Sequence, residues 1–101
     1  MIKNKICCVY CIENKINGKK YIGQTVNFHQ RVIVHKSDLR RNTNKNKHLQ
    51  RAWNKYGEDN FVFYILEECS ADERNELEIF YIKEYNTTDE KIGYNLSLIH
   101  I

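Results

Sequence analysis

Residues 7–25 read CCVYCIENKINGKKYIGQT. Two short apolar runs, each carrying a tyrosine, flank Asn17-Gly18, a strong hairpin signal. Residues 6–13 and 19–23 therefore read as strands. A two-residue turn centred on Asn17-Gly18 sets Asn14 opposite Tyr21 and Ile12 opposite Gly23. Side chains alternate across a strand, so Tyr10, Ile12, Tyr21 and Gly23 share one face. In that register the two tyrosines are offset by about four residues, or ~13 Å, along the ribbon.

The rest of the chain alternates helix and strand signals. Asn27 can cap a helix with Gln30 as its capping-box partner, and that helix runs to about Arg41. Phe28, Val32 and Leu39 form its apolar stripe, and Arg31 and His35 lie beside or within the stripe. A polar NTNKNK loop leads to a second helix with Leu49, Ala52, Trp53 and Tyr56 on one face, stopped by Gly57. Residues 61–69 read as a third strand. Ser70 and Glu73 form a capping box for a third helix through about Tyr85. Its buried set is Leu77, Phe80, Tyr81 and Tyr85, with Glu78 at the margin. IGYNLS near the end reads as a short last strand. A small antiparallel sheet flanked by helices is the economical architecture, α+β in class.

The chain has 101 residues and a formal net charge of +3, which allows one domain with a modest core. No run reaches membrane-span length and no signal-peptide core is visible, so a cytoplasmic protein is expected. The charge is unevenly spread. Lys36, Arg40, Arg41, Lys45, Lys47, Arg51 and Lys55 face only Asp38 between residues 35 and 55, whereas acids dominate residues 67–90. Such a stretch is either a solvated helix face or the contact surface for a polyanion.

Three of the four cysteines, Cys7, Cys8 and Cys11, crowd into one strand, with Cys69 far along the chain. Cys8 and Cys11 diverge to opposite faces, and no second C-x-x-C completes a tetrahedral site. Reduced, packed thiols are expected, with no zinc.

Arg31, His35 and Glu78 stand out as polar residues on core-facing helix surfaces. Burying such groups is costly unless they pair, bind a metal or line a cleft. They could pair internally, as an Arg31–Glu78 ion pair with His35 satisfied in the core. They could equally line a polar cleft with the two tyrosines.

The motifs resemble the GIY-YIG endonuclease family, in its phage and intron-type homing branch. Cys8-Val9-Tyr10 and Tyr21-Ile22-Gly23 match the two halves of the name. The segments NKINGKKYIGQT, RVIVHKSDLRR, HLQRAWNKYGEDNF, LEECSADERNELEIFYIKEYN and GYNLS follow in the family's order and spacing. The resemblance implies a three-stranded antiparallel sheet flanked by three helices. It implies a metal-dependent DNA endonuclease with catalytic residues Tyr10, Tyr21, Arg31, His35, Glu78 and Asn95. Glu78 would be the metal ligand, for Mg²⁺ or Mn²⁺. A restriction or repair nuclease, or an inactive nucleic-acid-binding module, would share the fold. Double-stranded DNA is the implied partner of a monomeric domain, with Lys36, Arg40, Arg41, Lys45, Lys47, His48, Arg51 and Lys55 as contacts.

The residue types suit phosphodiester hydrolysis. A divalent ion on one carboxylate neutralises charge on the phosphate. Arg31 offers a planar fork to phosphate oxygens. A tyrosine hydroxyl can relay the attacking water's proton, with Tyr21 beside His35 as the first candidate and Tyr10 as the second. The chain departs from the family pattern at Cys8, where glycine is usual. It also departs near Asn44, where many relatives of this branch carry a histidine.

The final LSLIHI is what the transposon-adapter end used in sequencing libraries encodes. The expectation is therefore a nuclease domain over residues 1–95 and a read-through over residues 96–101, with a native C-terminal DNA-binding region missing.

Overall fold

The computed structural model describes residues 5–96. Three strands, β1 (Cys8–Asn14), β2 (Lys20–Thr25) and β3 (Phe61–Glu68), form one antiparallel sheet in the order β2-β1-β3. Three helices pack on it: α1 (Phe28–Arg40), α2 (Lys47–Tyr56) and α3 (Arg74–Tyr85). This is the architecture the resemblance implied.

The hairpin register differs from the sequence expectation. The Asn14 side chain accepts from the Ile16 amide at 2.9 Å and starts the turn early. The Asn14 amide then donates to the Lys19 carbonyl, and the Gly18 amide to the Asn14 carbonyl. The loop therefore spans residues 15–18, with Gly18 at φ +74°, a left-handed conformation that costs glycine little. Tyr10 now faces Gly23, and Ile12 faces Tyr21. The loop is still even in length, so the four residues keep their shared face. The tyrosines become diagonal neighbours, with ring centroids 6.5 Å apart.

Alternation divides the core into two layers. Cys8, Tyr10, Ile12 and Tyr21 pack with Leu39 of α1 and Leu49, Ala52 and Trp53 of α2. Val9, Cys11 and Ile22 pack on the other face with Ile82 of α3. Cys8 and Cys11 thus diverge as expected, each packed in a different layer, and burial pushes both thiols up to about 11. Against β3 the register shifts between Val9 and Tyr10, an irregularity at the strand that carries the site.

The helix ends follow their caps. Asn27 accepts from the Gln30 amide and Asn46 from the Leu49 amide. Gly57 closes α2 at φ +88°. The Ser70–Glu73 capping box forms, opening through one 3₁₀ turn (Ala71–Glu73) before α3 begins. The expected buried set of α3 holds for Leu77 and Tyr81, which pack against the core, and needs correction for the rest. Phe80 is 53 % exposed and Tyr85 is also exposed, while Glu78 and Ile82 are the buried pair. An i, i+4 pair defines the inward direction of a helix, and here that direction passes through Glu78 and not beside it.

The expected last strand is also reduced. Gly93 makes an isolated parallel bridge to Lys20, and Ser97 lies outside the described residues. Residues 97–101, which carry most of the expected read-through, lie outside them too. A Cβ on Gly93 would sit 2.5 Å from the Thr87 Cα and 2.7 Å from the Lys20 carbonyl oxygen, so this approach needs glycine.

Candidate active site

The site forms around Tyr10, at the centre of the middle strand. Its ring lies directly over Gly23, where a Cβ would come within 2.4 Å of the phenol oxygen. Gly23 is thus the residue that lets the first motif tyrosine lie against the second motif strand. The Tyr10 hydroxyl is 2.7 Å from His35 Nε2. Arg31 Nε donates to the same oxygen at 3.4 Å. Arg31 and His35 stand one turn apart on α1, which aims both at one atom. Tyr21 meets the His35 ring edge-on, with centroids 5.7 Å apart. The sequence expectation joined Tyr21 to His35; the hydroxyl contact to the His35 nitrogen is made by Tyr10.

Burial sets the electrostatics. It pushes the Tyr10 hydroxyl up to about 12, with the Arg31 charge pulling the other way. It raises Tyr21 as well. His35 falls to about 4, through burial first and the Arg31 charge second, so its ring is neutral at physiological pH. Glu78 is 4 % exposed, and burial raises its carboxyl to about 7 against the Arg74 charge. Its charge acts on both Tyr10 and Tyr21.

Asn95 is bound differently. Its side chain accepts from the Ile22 amide and donates to the Ile22 carbonyl, both at 2.8 Å. It mimics a strand partner for β2, between Tyr21 and Gly23. Arg74 bonds Gln24, two residues further along β2.

The donor set on offer to a metal is limited. Among the described residues no three His, Cys, Asp or Glu side chains converge. One buried carboxylate suits a hard divalent ion that keeps most of its waters. Zinc prefers nitrogen and sulfur donors, which this neighbourhood does not gather.

The basic residues are engaged in different ways. Arg40 holds Glu58 through two bonds, one of 2.8 Å, and Arg41 holds Asp38 at 3.3 Å. Lys36 lies over the Phe63 ring. Lys45 and Lys47 are exposed at the entry to α2. His48, Arg51 and Lys55 line a cavity of about 300 Å³ with Lys19 of the hairpin and the Tyr56 and Tyr94 rings. His48 meets Tyr94 edge-on. Sequence reading missed Lys19 and Tyr94, because only the fold brings the hairpin loop to α2. It also missed Gln50, whose polar side chain is buried at the base of the α1–α2 loop. The run of asparagines around it was the available signal.

The three-stranded antiparallel sheet with its three helices is the fold that the resemblance to an endonuclease family implied. The family model described as the GIY-YIG catalytic domain matches residues 6–95, and the chain belongs to that family. Family membership implies use of a divalent metal.

The chain is 37 % identical over 91 residues to "Intron-associated endonuclease 1" of Enterobacteria phage T4, covering 88 % of this chain and 36 % of that one. It is 32 % identical over 85 residues to "Probable intron-encoded endonuclease 1" of Neurospora crassa, covering 77 % and 27 %. It thus spans about a third of the length of these curated relatives. Among solved structures it matches the catalytic domain of intron endonuclease I-TevI, in a point mutant, with TM-score 0.85 and 34 % identity over 95 % of this chain and 98 % of that one. A second structure of that catalytic domain gives TM-score 0.83 and 35 % identity over 90 % and 98 %.

Proposed function

We propose that the chain is the catalytic domain of a homing-type endonuclease that hydrolyses phosphodiester bonds in double-stranded DNA with Mg²⁺ or Mn²⁺. The observation that carries this reading is the convergence of Arg31 and His35 on the Tyr10 hydroxyl, in the electrostatic field of the buried Glu78.

Glu78 would hold the metal, which supplies charge neutralisation at the phosphate and at the departing oxygen. The Tyr10 oxygen receives the Arg31 Nε–H beside His35 Nε2, and the Arg31 charge stabilises it when it is ionised. The phenol first gives its own proton to solvent, and the phenolate then takes the proton of the water that attacks phosphorus. A P–O bond forms to the water oxygen, and the bond to the 3′ oxygen breaks. The 3′ oxygen leaves with the electron pair and is protonated from solvent. Arg31 also carries a fixed charge beside the reacting group, where negative charge develops on the phosphate. Asn95 and Gly23 are positioning residues: Asn95 holds β2, and Gly23 leaves room for the Tyr10 ring. The cavity with Lys19, Arg51 and Lys55 supplies phosphate contacts, which position DNA without reading its sequence.

A plasmid-nicking assay with magnesium tests the reading. Wild type should cut, whereas Glu78→Ala and Arg31→Ala should not. Equal cutting by all three would remove the site assignment. Retarded DNA with no cutting by any of them would identify a binding module.

A further inference from the structure

Asn44 lies in the loop between α1 and α2 and is 4 % exposed. Its side chain touches His35 Nδ1 at 3.2 Å, on the ring edge opposite Tyr10. The direction of that bond is decided by a neighbour. The Asn46 amide donates to Asn44 Oδ1 at 2.9 Å, and a backbone N–H can only donate. The amide oxygen is therefore committed to Asn46, and the amide nitrogen faces His35. An amide nitrogen can only donate, so His35 Nδ1 must accept. A neutral imidazole carries one N–H, so its proton must sit on Nε2.

The loop holds this geometry through Gln50. Its Oε1 accepts from the Asn44 amide at 3.0 Å, and its Nε2 donates to the Leu39 carbonyl at 2.9 Å. Gln50 is buried, so these bonds run through the interior and tie the Asn44 backbone to the end of α1. Asn46 is tied in turn to the Tyr94 carbonyl at 2.8 Å.

We infer that Asn44 is a positioning residue that fixes His35 as the Nε2–H tautomer, so that His35 donates to the Tyr10 oxygen and does not take the Tyr10 proton. The Tyr10 oxygen then has two donors, His35 Nε2 and Arg31 Nε, and its own proton must point away from both. Exchanging Asn44 for a residue without the amide frees the ring to reverse, with Nε2 accepting from Tyr10. In that state His35 holds the phenol proton in place and no longer supports the ionised oxygen. The functional consequence rests on the nuclease reading above; the tautomer itself does not.

Long-range proton–nitrogen correlation NMR of the histidine side chains tests the inference. A His35→Gln variant identifies the His35 signals. At mildly alkaline pH, without DNA or metal, wild type should show a protonated Nε2 and an unprotonated Nδ1 at His35. Asn44→Ala should populate the Nδ1–H form. It should also slow single-turnover DNA cleavage by ~10-fold or more, with DNA retardation unchanged. An Nδ1–H ring in wild type overturns the inference without any variant being needed. So does an Asn44→Ala protein that keeps a pure Nε2–H ring. An Nε2–H wild-type ring in a protein that cuts no DNA would support this assignment and count against the nuclease reading.

Discussion

The two faces of the sheet are built from alternate residues of the same strands, yet they do different work. On one face Tyr10 and Tyr21 share the interior with His35, Asn44 and Gln50, all buried. On the other, Val9, Cys11 and Ile22 meet Ile82 in an apolar layer. The polar face keeps an apolar core of its own, with Leu39, Leu49 and Trp53, and adds hydrogen bonds that hold single atoms in fixed directions. The apolar face supplies transfer free energy and asks little of direction. Glu78 is the exception: it belongs to the helix of the apolar layer, yet its charge reaches the tyrosines of the polar one. A buried carboxylate is expensive, so its presence there marks function more than stability.

The contrast predicts opposite failures. Glu78→Gln should lower cleavage by ~10²-fold or more, with little loss of melting temperature. Ile82→Ala should do the reverse, costing about 2–5 kcal/mol of stability while the folded fraction still cuts. Chemical denaturation run beside cleavage assays separates the two. An Ile82 variant that is stable but inactive would break the division of labour between the faces.

Gly23→Ala joins both kinds of damage, because the added Cβ overlaps the Tyr10 ring at 2.4 Å. It should cost about 1–3 kcal/mol by overpacking and also displace the Tyr10 hydroxyl. Pairing it with Tyr10→Ala, which empties the space, should recover part of the stability and none of the activity. An additive double mutant would show that the two residues do not clash.

The polar face should also carry a pH signature. Burial holds His35 near pKa 4 when folded, against 6.5 for the free side chain. Between those values the unfolded chain binds the proton and the folded one does not, so stability rises with pH across that window. The His35 contribution is complete above about pH 6.5 and is lost as pH falls towards 4, about 3 kcal/mol in all. Urea unfolding of wild type and His35→Gln at pH 7 and pH 5 should show a shallower loss in the variant. Equal slopes would place His35 in a more solvated setting.

The smallest effect belongs to the surface groove. Arg51→Ala or Lys55→Ala should reduce the salt dependence of DNA binding by about one unit of slope each. Cleavage at low salt should change little. Arg40→Ala should alter that slope less, because Arg40 already holds Glu58. A larger effect from Arg40 than from Arg51 would move the DNA track away from the Lys19 cavity.

The sequence makes some of this legible and hides the rest for physical reasons. Period-two alternation puts Tyr10 and Tyr21 on one face whichever even-length loop joins the strands. The register itself depends on the Asn14 side chain starting the turn, a local choice that Asn17-Gly18 obscures. Capping residues locate α1 and α3. The inward direction of α3 is less visible, because Phe80 and Tyr85 are large and apolar yet point outward, while a glutamate points in. Arg31, His35 and Glu78 stand out as polar residues where apolar ones belong. Asn44 and Gln50 do not, since an asparagine in a polar loop and a glutamine in a polar helix turn look ordinary until the fold buries them.

The proposed chemistry turns on one oxygen, that of Tyr10. Single-turnover cleavage of DNA in magnesium by wild type, Tyr10→Phe and Tyr21→Phe tests it most directly. The predicted result is a loss of ~10²-fold or more for Tyr10→Phe and a smaller loss for Tyr21→Phe, with DNA binding retained in both. Full activity in Tyr10→Phe would contradict the account.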